Sequence, residues 1–189
     1  AGGTGGGAPG RRWRELTTVG EPPAPRSYFG SWCEGSLVFV HGGEGDAPEG
    51  GVPPDADSPP DSDVPQPKQM RLCLDDLYVL DVGVKPARWK HVRTRLQPLP
   101  RRGHSVIHAR MRGDDSILLF GGGGAGRLHA FDLYFAPHDV LLEGRSIWNK
   151  AKTMGQMPLP RQGYSTTVGP PGSDRVFVFG GITDDGVLL

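Results

Sequence analysis

One pattern constrains this chain more than any other: a three-part unit that recurs three times in the same order. Three apolar runs each close on a glycine pair, namely Leu37-Val38-Phe39-Val40-His41-Gly42-Gly43, Ile117-Leu118-Leu119-Phe120-Gly121-Gly122 and Val176-Phe177-Val178-Phe179-Gly180-Gly181. A Pro-Arg step stands upstream of each, at Arg26, Arg101 and Arg161, and the Arg-to-Gly spacings are 16, 20 and 19 residues. A tryptophan stands further upstream, at Trp13, Trp89 and Trp148, with Trp-to-Arg spacings of 13, 12 and 13. A block repeated at near-constant spacing marks an architecture of stacked like units.

The units read as strands. Val, Phe, Leu and Ile dominate runs of four or five residues bounded by Gly, Pro and Asp. These runs are apolar throughout, the pattern of a strand covered on both faces. A third strand follows at Leu77-Tyr78-Val79-Leu80, matched by one over Phe131 to Phe135, and the Trp segment, as in Arg88-Trp89-Lys90-His91-Val92, supplies a fourth. Each unit is therefore expected to be a four-stranded antiparallel sheet, with strands a to d counted from the Arg.

Arg-x-Gly-His-Ser at 101–105, Arg-x-Gly-Tyr-Ser at 161–165, the glycine pairs, the third-strand Tyr and the closing Trp together resemble kelch repeats. That resemblance implies an all-β fold, a kelch-type β-propeller fragment of about three blades, incomplete at both ends. A narrower likeness is to the kelch half of the plant F-box blue-light receptors of the Zeitlupe/Adagio class. It is carried by Trp13-Arg14-Glu15-Leu16, His41-Gly42-Gly43-Glu44-Gly45, Leu80-Asp81, Trp89-Lys90-His91-Val92 and Gly186-Val187-Leu188-Leu189. On this reading Trp13, Arg26, Gly42, Gly43, Trp89, Arg101, Gly121, Gly122, Trp148, Arg161, Gly180 and Gly181 are structural. The glycines relieve crowding at the end of strand b, and the tryptophans supply area to wedge between blades.

The units divide the chain. Residues 1–10 are a Gly-rich segment expected to be disordered, and 11–24 the last strand of a preceding blade with its linker. Residues 25–99 and 100–159 are blades, and 160–189 a partial one. The Arg-to-Arg intervals of 75 and 60 residues exceed an ordinary repeat of about 50, so both blades carry insertions. The first spans 44–69; its stretch from Glu44 to Pro67 holds seven acidic residues, seven prolines and no basic one, a composition that predicts a disordered loop. The second spans 136–146. With no initiator Met and two partial units, the chain is expected to be part of a longer protein.

Several chemistries are disfavoured. Gly121-x-Gly123-x-x-Gly126 fits the dinucleotide fingerprint, but Arg127 to Tyr134 reads as turn and strand where a helix N-terminus is needed. His104 and His108 would stand about 13 Å apart along a strand, and no third ligand recurs at a matching spacing, so no metal site and no cofactor is assigned. Ser105 and Ser165 have no acid at a recurring position, so no catalytic residue is assigned. The acidic insertion lacks the spacing of a calcium loop. With 21 basic and 21 acidic residues, nothing demands a nucleic-acid partner, and no apolar run is long enough to cross a membrane. Cys33 and Cys73 fall two strands apart in one sheet, roughly 9–10 Å, too far for a disulfide. With no glycosylation sequon, a cytoplasmic or nuclear setting is expected.

What remains is recognition. In antiparallel blades the d–a and b–c connections share one end, where Arg26, Arg101 and Arg161 enter strand a. The kelch resemblance implies partner contacts there for Ser27, Tyr28, Arg102, Gln162 and Tyr164. The expectation is a non-enzymatic protein-interaction module, its partner an acidic peptide or loop drawn to the Arg101-Arg102 pair. The F-box likeness implies substrate recruitment for a ubiquitin ligase. The alternative is part of a kelch-propeller metalloenzyme or specifier protein whose catalytic residues lie in other blades.

Overall fold

The computed structural model describes residues 13–46, 71–124, 127–128, 132–142, 146–170 and 173–189. The first blade is built from β1 (Thr18–Gly20), β2 (Arg26–Ser27), β3 (Gly30–Glu34), β4 (Leu37–Asp46), β5 (Arg71–Asp81) and β6 (Ala87–Val92). Its order is β1-β6-β5-β4, with β2 and β3 both paired to the outer side of β4. A short β7 (Thr94–Arg95) leads to the second blade, β8 (Ser105–Met111), β9 (Asp114–Phe120), β12 (Leu133–Pro137) and β14 (Asn149–Lys150), in the order β14-β12-β9-β8. Between these lie the hairpin β10 (Gly123–Gly124) and β11 (Arg127–Leu128), the one-turn helix α1 (His138–Leu142) and β13 (Ser146–Ile147). The third blade contributes β15 (Ser165–Val168) and β16 (Val176–Phe179). These are partial four-stranded blades of a kelch propeller, in the order d-c-b-a.

The apolar runs behave as sheet stacking requires. Ile117, Leu118, Leu119 and Phe120 are all buried, because β9 has a blade on either side. In β16 burial alternates, and Phe177 and Phe179 are exposed. One cluster joins Trp32, Phe39, Leu77 and Val92 of the first blade to Val106, Ile117, Leu119 and Trp148 of the second. A second joins Leu118 and Phe120 to Tyr164, Val176 and Val178 of the third. Each such large side chain, fully buried, contributes on the order of 1.5–3 kcal/mol.

Several boundaries differ from the sequence reading. Trp13 is fully exposed and lies outside any strand; the strand of that segment is β1, five residues later, lying parallel to β6. Glu44, Gly45 and Asp46 continue β4 and pair with Cys73, Leu72 and Arg71, so the ladder extends past the glycine pair through a bulge at His41–Gly43. Backbone pairing overrides the acidic composition there. The disorder expected at 1–10 and over the rest of the first insertion lies outside the described residues. The third strand of the second blade is Leu133–Pro137, shifted from the expected Phe131 to Phe135, and α1 follows it directly. Where the dinucleotide fingerprint would need a helix N-terminus, the described residues Gly123 and Gly124 pair with Leu128 and Arg127 in a hairpin. Cys33 and Cys73 stand on β3 and β5 and form no disulfide. No helix among the described residues is long and apolar enough to cross a membrane.

Candidate functional site

The three arginines of the repeat do the same thing in each blade. Arg26, Arg101 and Arg161 each donate from Nε to the carbonyl two residues back, at 3.0–3.1 Å. Each also donates from Nη1 to the carbonyl of the first glycine of the pair: Gly42 at 3.0 Å, Gly121 at 2.9 Å and Gly180 at 3.1 Å. Arg26 lies over Tyr78, and Arg101 over Tyr134, each 5.4 Å from the ring centroid. Arg26 further grips Asp76 with both nitrogens, at 2.6 and 3.0 Å. In the first two blades these guanidinium groups tie strands a, b and c together at one end of the sheet, and in the third Arg161 ties strand a to strand b.

The glycine pairs take backbone angles that other residues avoid. Their φ values are 59° and 98° at Gly42 and Gly43, 67° and 78° at Gly121 and Gly122, and 74° and 103° at Gly180 and Gly181. The sharp turn lets the next blade approach: Gly43 N donates to Arg101 O at 2.9 Å, and Gly122 N to Arg161 O at 3.1 Å.

Just inside this end, two seams form at equivalent positions. Between the first and second blades, buried His41 meets His104, Nδ1 to Nε2, at 3.0 Å. One ring must donate and the other accept, so the contact needs at least one neutral imidazole. Burial, and then the Arg101 charge, lowers the His41 pKa to about 3. Trp148 packs edge-on against His41, with centroids 5.7 Å apart. Between the second and third blades the same positions hold Phe120 and Tyr164. The Tyr164 hydroxyl donates to Phe120 O at 2.5 Å and accepts from Ser105 N at 3.2 Å. Burial pushes its pKa up to about 12, the hydrogen bonds to Ser105 opposing.

The five rim residues implied by resemblance have different surroundings. Tyr28 is 68% exposed with φ at 54°, where the sister blades place Gly103 and Gly163 at 61° and 68°. Its carbonyl accepts from Gly103 N of the next blade at 2.8 Å. Ser27 Oγ accepts from Arg71 at 3.1 Å. Arg102 makes an ion pair with Glu44 of the first blade, and this hydrogen bond raises the Arg102 pKa. Gln162 is tied by its backbone to Ile182, at 3.0 and 3.1 Å. Tyr164 belongs to the seam, its hydroxyl turned inward rather than to the rim.

Sequence spacing missed the Arg102–Glu44 pair and the His41–His104 contact. The second had a visible signal, since His41 stands where the other units have Phe120 and Phe179. His104 and His108, four apart in sequence, go to different places. His104 faces the seam, whereas His108 meets Glu34 and His138 at the opposite end of the sheets.

No family profile matches the chain. It is similar to Adagio-like protein 1 of Oryza sativa subsp. japonica, 31% identical over 179 residues, covering 89% of this chain and 24% of that protein. It is also similar to Adagio protein 3 of Arabidopsis thaliana, 30% identical over 177 residues, covering 94% of the chain and 23% of the relative. The Host cell factor of Drosophila melanogaster is 29% identical over 182 residues, 89% of the chain and 10% of the relative. The chain thus spans about a quarter or less of the length of these curated relatives.

Proposed function

Because the chain belongs to the kelch-repeat family, as a non-catalytic protein-interaction stretch, we propose that its rim, centred on Tyr28, receives a protein partner. The carrying observation is the backbone of Tyr28. A bulky residue in the left-handed region is strained by on the order of 1–3 kcal/mol, and the sister blades avoid that strain with glycine. Such strain concentrates at functional sites, and an exposed tyrosine offers a rigid anchor with an apolar face and a polar tip. Exposed Phe29 stands beside it.

The partner's chemistry follows from Arg102. Its charge is satisfied by Glu44, and its side chain remains 41% exposed, so an acidic loop on the partner exchanges with or joins Glu44. Substrate recruitment for a ubiquitin ligase is the narrower version, and it rests on the likeness to the Adagio class. Tyr28→Gly separates binding from folding. It should raise stability by about 1 kcal/mol in a thermal melt and weaken a captured partner at least about tenfold in titration. A variant that binds unchanged would remove the rim from the reading.

A further inference from the structure

We propose that Glu34, His108 and His138 form a site for one zinc-class divalent transition-metal ion, clasping the first blade to the second. Glu34 closes β3, His108 lies on β8, and His138 opens α1 in the second blade's insertion. Glu34 Oε2 stands 3.2 Å from His108 Nδ1 and 3.4 Å from His138 Nε2. At metal–ligand bonds of about 2.0–2.1 Å, donors of a tetrahedral site lie about 3.3 Å apart. Two of the three donor–donor edges therefore already have the required length, and all three donor atoms lie within 4.8 Å of one another.

The surroundings support an ion. His138 Nε2 is shut off from solvent and makes no hydrogen bond among the described residues, although it faces the Glu34 carboxylate. Asp115 Oδ1 lies 3.9 Å from His108 Nε2, the ring nitrogen not turned to Glu34; it is too far for a hydrogen bond here and would have to close in to orient a metal-bound imidazole. A cleft of about 740 Å³, lined in part by Asp115 and His138, lies alongside the cluster. Two nitrogens and one oxygen select zinc-class ions over calcium or magnesium, which prefer oxygen throughout. One adjustment is needed. The two rings are stacked at 4.6 Å and 6°, so their lone pairs cannot meet at one point until a ring turns. His108, 34% exposed by side chain, has room to do so.

The test titrates the tag-free chain with Co²⁺ alone and with Zn²⁺ alone, by visible absorption and calorimetry. One saturable equivalent with the spectrum of four- or five-coordinate cobalt is expected. Glu34→Gln and His138→Ala should each weaken it at least about tenfold, while His91→Ala, on the far strand of the first blade, leaves it unchanged. In the unmodified chain, Zn²⁺ should also protect His108 and His138 from diethyl pyrocarbonate, read by mass spectrometry, and this arm does not depend on any variant folding. Absence of saturable binding, equal affinity in folded Glu34→Gln and His138→Ala, or undiminished modification of both histidines would overturn the site.

Discussion

The seam between the first and second blades and the seam between the second and third occupy the same place in the repeat, but different chemistry closes them. The first sets two imidazoles nose to nose, buried under Trp148 and beside Arg101. The second sets Phe120 under Tyr164 and spends the tyrosine hydroxyl on a backbone carbonyl. Both leave the glycine pair and the arginine anchor unchanged. The repeat thus fixes the backbone crossing, and the pair of side chains at its centre can differ so long as one polar contact satisfies the other. The difference is that only the histidine seam can be charged by acid.

Changes that open one seam and spare its counterpart should have the largest effect. Phe120→Ala should cost about 3–5 kcal/mol in chemical denaturation, whereas Phe179→Ala, at a position 83% exposed, should cost below about 0.5 kcal/mol. Equal losses would mean the third blade is covered in solution. Next come the glycines. A Cβ on Gly121 would stand 2.2 Å from the Tyr164 hydroxyl, whereas one on Gly180 meets nothing nearer than 3.8 Å. Both carry positive φ, so Gly180→Ala isolates the backbone strain at about 1 kcal/mol. Gly121→Ala adds the seam clash, for a total of about 3 kcal/mol. Melting both variants side by side reads the difference directly.

Acid should separate the seams more gently. The folded-state pKa of His41 is lowered to about 3, so between the ordinary histidine value and that point the unfolded chain binds a proton the folded chain refuses. Stability from this group is therefore full above about pH 6.5 and falls as pH drops, by about 2 kcal/mol at pH 5. Denaturation midpoints between pH 7 and 5 should show the slope, and the double variant His41→Phe with His104→Tyr, which copies the second seam, should flatten it. The last contrast is Tyr164→Phe. It removes the donor to Phe120 O and should cost about 1–2 kcal/mol, with no change in that acid slope.

The repeat was legible because its signals are local. Glycine pairs, Pro-Arg steps and apolar runs act within one blade, and the sheets follow them closely. Three features were not legible. Glu44 to Asp46 looked like the start of an acidic loop because composition says nothing of a partner strand at Arg71 to Cys73. Trp13 matched Trp89 and Trp148 in spacing, yet none of the described residues buries it. Glu34, His108 and His138 come from three elements and two blades, so no spacing rule could gather them. Tyr28 falls between these cases. Its mismatch with Gly103 and Gly163 is visible once the repeats are aligned, but the positive φ that gives it meaning is a property of the fold.

The parallel ties β1–β6 and β7–β13 have a consequence for how such a chain is made. In each tie the covering residues precede in sequence the strand that they cover. As the chain emerges in synthesis, N-terminal end first, the two or three covering residues are already in place when β6, the outermost strand of the first blade, or β13, the segment just ahead of β14, arrives. That strand meets a waiting partner from its own chain, and so part of its hydrogen-bonding row is never offered to a neighbouring molecule. Blades assembled this way are guarded in the order they are born.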